Sequence, residues 1–183
     1  LAPGQEPVAR QAVVHHDAVA VVALREGDTS SQPDGAAEIL MIRQYRHPVR
    51  ACLWEIPAGL LDVAGEEPAV AAARELAEET AATWFTLAEF YASPGFTTEG
   101  ARIFLAQDLS LLPEDRRTVR EDEEAEFVPT WVPLDEALDA VMGGRLHNPS
   151  TVLGVLATAQ ARTRGWAGLR PADAPWLRSP ESL

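Results

Sequence analysis

The chain has 183 residues, 46% of them apolar, and a formal net charge of −13 with a pI near 4.6. That length supports one full hydrophobic core and is short for two. So acidic a surface excludes nonspecific binding to nucleic acid or to an anionic membrane. A single cysteine, Cys52, excludes a disulfide within the chain and fits a reducing, cytoplasmic setting; it reads as a small buried hydrophobe. No apolar run reaches the roughly 18 residues of a membrane span.

The chain opens at Leu1 rather than Met and enters a strand almost at once, so an N-terminal piece of the natural protein is expected to be missing. Residues 8–14 and 18–24 are rich in Val and Ala and read as two strands or one bent one. Residues 26–37 form a polar hairpin loop, and 38–45 return as a strand. A turn at 48–50 leads to a short strand at 53–56, then to the turn Pro57-Ala58-Gly59 before an acidic helix. Beyond that helix, 84–93 and 101–109 read as strands around the loop 94–100. An acidic run at 121–126 precedes a strand at 127–132, a helix at 134–143 and a helix at 150–164. The tail from about 165 is expected to pack loosely. No repeat and no second domain is visible, and the elements suggest an α/β sandwich, a mixed sheet flanked by helices.

The acidic helix carries the chemistry. At about 100° per residue, Glu75, Glu78 and Glu79 fall within roughly a 100° arc, opposite a face of small and apolar side chains. Like charges at three- and four-residue spacing repel. A hard divalent cation removes that cost by taking carboxylate oxygens. Arg74, four residues before Glu78, is positioned to pair with it.

The segment Glu66-x7-Arg74-Glu75-Leu76-x-Glu78-Glu79 resembles the Nudix box, G-x5-E-x7-R-E-U-x-E-E-x-G-U, where U is a bulky aliphatic residue. Three positions depart from it. Six residues rather than five separate Gly59 from Glu66, Ala81 replaces the later glycine, and Ala82 replaces the last aliphatic. The extra residue lies in a loop, and the lost glycine removes a favoured helix stop.

Within that superfamily the chain is most similar to bacterial ADP-ribose pyrophosphatases. Gln44-Tyr45-Arg46 precedes Leu53-Trp54-Glu55-Ile56-Pro57-Ala58-Gly59. Pro94 lies fifteen residues beyond Glu79 in a Ser-Pro-Gly-Phe-Thr loop, and an acidic run follows at 121–126. The resemblance implies a Nudix α/β/α sandwich in one domain spanning residues 1–183. It also implies Mg²⁺-dependent hydrolysis of ADP-ribose to AMP and ribose 5-phosphate, with Mn²⁺ as an alternative ion. Glu75, Glu79 and Glu78 would ligate the metal together with the carbonyl of Ala58. Glu124 would be the base, with Glu123 next and Glu126 third. Arg46 would clamp phosphate, Glu55 would bind the terminal ribose or a water on the metal, and Arg10 would contribute from the N-terminal strand. Phe96 and Trp54 read as core rather than as adenine platforms. Related enzymes are homodimers with exchanged N-terminal strands, and the partner expected here is a second copy plus a nucleoside diphosphate sugar. The alternatives are a Nudix hydrolase for another nucleoside diphosphate compound, such as a sugar nucleotide, a dinucleoside polyphosphate or an oxidised nucleotide, and a noncatalytic ADP-ribose sensor.

Overall fold

The computed structural model describes residues 9–27, 36–76, 79–113 and 129–176. Strands β1 (Ala18–Arg25) and β2 (Glu38–Arg46) form an antiparallel hairpin, and a single 3₁₀ turn at His47–Val49 leads to β3 (Ala51–Glu55). Next come β4 (Ala58–Leu60) and α1 (Pro68–Glu75), then β5 (Glu79–Tyr91) and β6 (Gly100–Leu111). The rest is β7 (Thr130–Pro133), α2 (Leu134–Met142), α3 (Pro149–Thr163) and β8 (Arg170–Pro171). The strands make one mixed sheet in the order β3-β2-β1-β6-β5-β8, with β4 beside β1 and β7 beside β2. Only the β1–β6 pairing among these is parallel.

Strand β1 shows why the sheet is covered on both faces. Its sequence AVAVVALR is apolar at consecutive positions, the pattern of a strand with no solvent side. Alternate residues separate cleanly. Ala20, Val22 and Leu24 meet Ile39, Met41, Ile103 and Leu105, under Leu134 and Ala137 of α2 and Val155 of α3. Val19, Val21 and Ala23 meet Leu40, Phe104 and Ala106, under Ala71 and Ala72 of α1 and the adjoining Leu76. The expected α/β/α sandwich is the observed architecture. Helix α3 lies especially close to the sheet, because Gly154 occupies its contact point. A Cβ there would lie 2.9 Å from Val22 Cγ2 and 3.1 Å from Ile56 Cδ1.

Several expectations change. The acidic helix is only eight residues long, and Glu79 begins β5 instead of continuing it. Pairing with β6 overrides the helical pattern, since Glu79, Thr80 and Ala81 sit opposite Leu111, Ser110 and Leu109. Three carboxylates therefore do not share one helix face. Of residues 9–14, Val13 alone bridges, to Thr97; Val8 lies outside the described residues. Pro57-Ala58-Gly59 runs into β4 rather than forming only a turn. Cys52 is exposed, Trp54 is 36% exposed and Phe96 is 61% exposed, so none of them is core. Cys52 and Trp54 alternate along β3 with the more buried Leu53 and Glu55, so their side chains share the solvent face of that strand.

The stretch read as a loose tail makes definite contacts through residue 176. Strand β8 pairs with β5, and Thr86 Oγ1 donates to the Pro171 carbonyl at 3.0 Å. Arg102, 3% exposed, donates through Nε and Nη2 to Glu89 and through Nη1 to the Ala174 carbonyl at 2.9 Å. Its guanidinium also lies 4.9 Å from the centre of the Trp176 ring. Arg170 donates to the other oxygen of Glu89 at 3.1 Å. A buried guanidinium needs partners on every side, and the C-terminal strap supplies two of them. Arg102→Met is expected to lower stability by about 3 kcal/mol in urea denaturation, and Trp176→Ala by about 1 kcal/mol. Unchanged midpoints in both variants would reject the strap.

Candidate functional site

A cleft of about 550 Å³ opens where the ends of several elements converge. Arg46 ends β2, Glu55 ends β3, and Ala58 and Gly59 begin β4. Arg74 and Glu75 close α1, and Asn148, the N-cap of α3, lines the cleft with them. Strand ends suit this task because the sheet fixes their backbones while their side chains reach solvent.

Glu75 is held from two directions. Gly59 lies beneath it so closely that a Cβ on residue 59 would sit 2.4 Å from its Oε1 and Cδ. Only a glycine leaves room for the carboxylate on the backbone of β4. Arg74 Nη1 donates to Glu75 Oε1 at 2.6 Å. Arg74 is itself fixed by Glu66, with Nη2 to Oε2 at 3.1 Å and a longer Nε contact to Oε1 at 3.3 Å. The hydrogen bond it donates to Glu66 pushes the Arg74 pKa above its ordinary value; burial opposes this and the charge of Glu75 adds to it. Arg74 therefore reaches back to Glu66 and sideways to Glu75. Its expected partner Glu78 lies outside the described residues.

Arg46 and Glu55, assigned separate tasks from the sequence, form one unit. Arg46 Nε donates to Glu55 Oε1 at 2.9 Å and Nη2 to Oε2 at 2.6 Å. This is the bidentate fork that matches a guanidinium to a carboxylate. The Glu55 side chain is 2% exposed and that of Arg46 is 42% exposed. Burying such a carboxylate is costly unless a partner is hydrogen-bonded to it. Both Glu55 oxygens face Arg46, so the geometry orients the arginine toward the cleft.

Other predicted site residues fall elsewhere. Arg10 is exposed, hydrogen-bonds the Ala9 carbonyl at 3.0 Å and is not among the residues lining the cleft. Glu79 does not line the cleft either; its Oε2 is buried at the start of β5. Glu123, Glu124 and Glu126 lie outside the described residues. Among the described residues, no three His, Cys, Asp or Glu side chains group as a metal site.

The cleft also contains groups that sequence reasoning passed over. Gln44, Asp62, Glu99 and Ser150 line it. Asp62 lies between Gly59 and Glu66 and Glu99 in the loop 94–100, and loop residues give no periodicity by which to place a side chain. Asn148-Pro149 was a readable helix start, an Asn N-cap followed by Pro at the first helical position. Asp17 joins two sides of the mouth. Its carbonyl accepts from Leu61 N–H at 2.8 Å and its Oδ1 from Gly100 N–H at 3.0 Å.

Charge limits what the cleft can bind. Its lining holds four carboxylates, Glu55, Asp62, Glu75 and Glu99, against two guanidiniums, Arg46 and Arg74, a formal charge of −2. An anionic ligand would be repelled unless a cation entered with it. The oxygen-rich lining suits a hard divalent cation, and the half-buried Glu75 cradle is where carboxylate and backbone donors meet.

Known proteins resemble this chain in sequence and fold. A family model described as NUDIX domain matches residues 14–149. An ADP-ribose pyrophosphatase of Mycobacterium tuberculosis is 42% identical over 184 aligned residues, covering 99% of this chain and 83% of that protein. An ADP-ribose pyrophosphatase of Bacillus subtilis is 37% identical over 156 residues, covering 84% and 77%. A methanol dehydrogenase activator of Bacillus methanolicus is 35% identical over 158 residues, with 84% and 77% covered. A solved structure described as an ADP compounds hydrolase superposes with a TM-score of 0.65 at 21% identity, covering 82% of this chain and 75% of that one, a likeness of fold. With the box spacing, the guanidinium-held Glu75 and a family match over most of its length, the chain belongs to the Nudix hydrolase family.

Proposed function

We propose that this protein hydrolyses the diphosphate bond of ADP-ribose, releasing AMP and ribose 5-phosphate. The observation that carries the reading is one cleft lined by both a carboxylate-rich cradle at Glu75 and an oriented guanidinium at Arg46. Near-full-length similarity to two ADP-ribose pyrophosphatases supports that substrate.

Nudix enzymes work with divalent metal ions, and the donor chemistry of the cleft fits one. Mg²⁺ is the proposed ion, with Mn²⁺ as an alternative. Glu75 and the Ala58 carbonyl would hold it; Glu78 and Glu79 join the set on the motif alone, Glu79 from the first residue of β5. When bound, such a cation supplies Lewis-acid neutralisation of charge on the diphosphate. The chain's own residues do the rest. Glu55 holds the Nε and Nη2 edge of Arg46 and so fixes the plane of the guanidinium, whose remaining N–H groups would meet phosphate oxygens. Arg74 and Glu66 hold Glu75 against Gly59. A carboxylate of the 121–126 run, Glu124 first, then Glu123 or Glu126, takes the proton from the attacking water.

Arg10 lies outside its own protomer's cleft, which fits a homodimer whose N-terminal segments serve each other's sites. No described helix is long and apolar enough to cross a membrane. The lone cysteine supports a cytoplasmic location.

Incubation with ADP-ribose and Mg²⁺ is expected to give AMP and ribose 5-phosphate by ion-exchange chromatography, and EDTA should stop it. Faster turnover of a nucleoside triphosphate or a GDP-sugar would overturn the substrate. Glu75→Gln is expected to lower kcat by about two orders of magnitude with the circular dichroism spectrum retained; an unchanged rate would remove it from the metal set. Gly59→Ala displaces the same carboxylate without altering its charge. It should weaken Mn²⁺ binding, measured by calorimetry, by roughly 10- to 100-fold. Glu55→Gln removes one charge from the fork and is expected to raise KM by about 10-fold, as loss of a charge-assisted hydrogen bond does. An unaltered KM would show that Arg46 needs no such support.

A further inference from the structure

We propose that Thr151 is a positioning residue for the cleft, tying two segments of its lining together through one buried hydroxyl. Thr151 is 0% exposed and sits in the first turn of α3. Its Oγ1 accepts the Ile56 backbone N–H at 3.0 Å, across 95 residues of sequence. The same hydroxyl donates to Asn148 Oδ1 at 3.2 Å, and Asn148 Oδ1 also accepts the Thr151 N–H at 3.0 Å. A hydroxyl offers one proton and can accept others, and here both capacities are used.

The two ends of this tether are both parts of the cleft. Ile56, 1% exposed, lies between Glu55 and Pro57, and Ala58 follows; these three neighbours line the cleft. Asn148, Pro149 and Ser150, at the start of α3, line it too. Two further contacts seat the joint. The Pro57 carbonyl accepts Val21 N–H at 2.8 Å, and the absent side chain of Gly154 lets α3 settle onto Ile56. Strand β3 ends at Glu55, so Ile56 N–H has no antiparallel partner in the β2–β3 ladder, which stops at Glu55 opposite Ile42. The Thr151 hydroxyl takes the place of the next strand bond. It thereby sets where the chain leaves β3, and with it the carboxylate of Glu55 that orients Arg46.

A valine at 151 keeps the shape of threonine and deletes the hydroxyl. The buried Ile56 N–H then loses its acceptor, and Asn148 loses one donor. Serine keeps the hydroxyl and removes only a methyl group.

The functional half of this inference rests on the proposed hydrolysis of ADP-ribose; the tether itself does not. Two readouts therefore run in parallel on wild type, Thr151→Val and Thr151→Ser. Amide hydrogen exchange, which needs no substrate, is expected to quicken at Ile56 by about tenfold or more in Thr151→Val and to stay near wild type in Thr151→Ser. Steady-state kinetics with ADP-ribose and Mg²⁺ should show KM raised about tenfold in Thr151→Val with kcat within about threefold, and both restored in Thr151→Ser. Unchanged exchange at Ile56 overturns the tether. Faster exchange with unchanged KM makes Thr151 merely structural and overturns its positioning role. If Thr151→Val does not fold, Thr151→Ala is read in the same two assays. Should the wild-type protein not turn over ADP-ribose, the functional reading fails by itself, and the tether is judged on exchange at Ile56.

Discussion

Everything in the cleft depends on how a carboxylate is held where it would otherwise be repelled. Glu75 sits on the bare backbone of Gly59 with Arg74 against its side, and Arg74 is anchored by Glu66 in turn. This chain of contacts explains the spacing of the sequence motif in physical terms. The eight-residue step from Glu66 to Arg74 spans the loop and one side of α1, bringing a fixed anion under the guanidinium. The following residue, Glu75, is then delivered to β4. Remove the glycine and the cradle fills; remove Glu66 and the arginine loses its second anchor.

The same solution appears twice more. Arg46 with Glu55, and Arg102 with Glu89, are pairs in which one member is almost wholly buried. Buried ions are costly unless paired with good geometry, and each of these guanidiniums makes at least two hydrogen bonds. They differ in what they serve. The first faces the cleft and aims a cation at it. The second lies on β5 and β6, away from the first. Glu89 pairs with Arg102, while Phe90 and Ala101, the next pair in the ladder, line the cleft. Alternation along β5 and β6 thus turns Glu89 and Arg102 to the face away from Phe90 and Ala101. A protein with a net charge of −13 depends on such local arrangements, because its general field repels the anions it is built to bind.

Much of this was legible in the residues. The strand-rich reading of 18–24, 38–45 and 101–109 came from runs of apolar side chains, and a buried sheet covered on both faces is what such runs make. The helix at 150–164 was marked by its apolar residues, and that at 134–143 by Pro133 before it and by Asp135 and Glu136 near its start. The family was legible because its motif is long and nearly gapless. Less visible was the end of the acidic helix. Leu76 through Ala82 carry good helical residues, yet from Glu79 the chain pairs with the far end of β6. Nothing local in the sequence announces a partner thirty residues away. Cys52, Trp54 and Phe96 were misjudged for a related reason: residue type suggests burial, but position on the solvent face of a strand or on a loop decides it.

Sequence by itself determined the chemical inventory: which carboxylates and arginines exist, their spacing around a glycine turn, and the family to which that spacing belongs. Tertiary structure alone decided which of them meet. Glu55 and Arg46 are nine residues apart, and Ile56 and Thr151 ninety-five, yet each pair is in contact. Periodicity reports the direction of a side chain along one element. Only the packing of elements against each other converts those directions into distances, and it is at those distances that charge pairing and hydrogen bonding act.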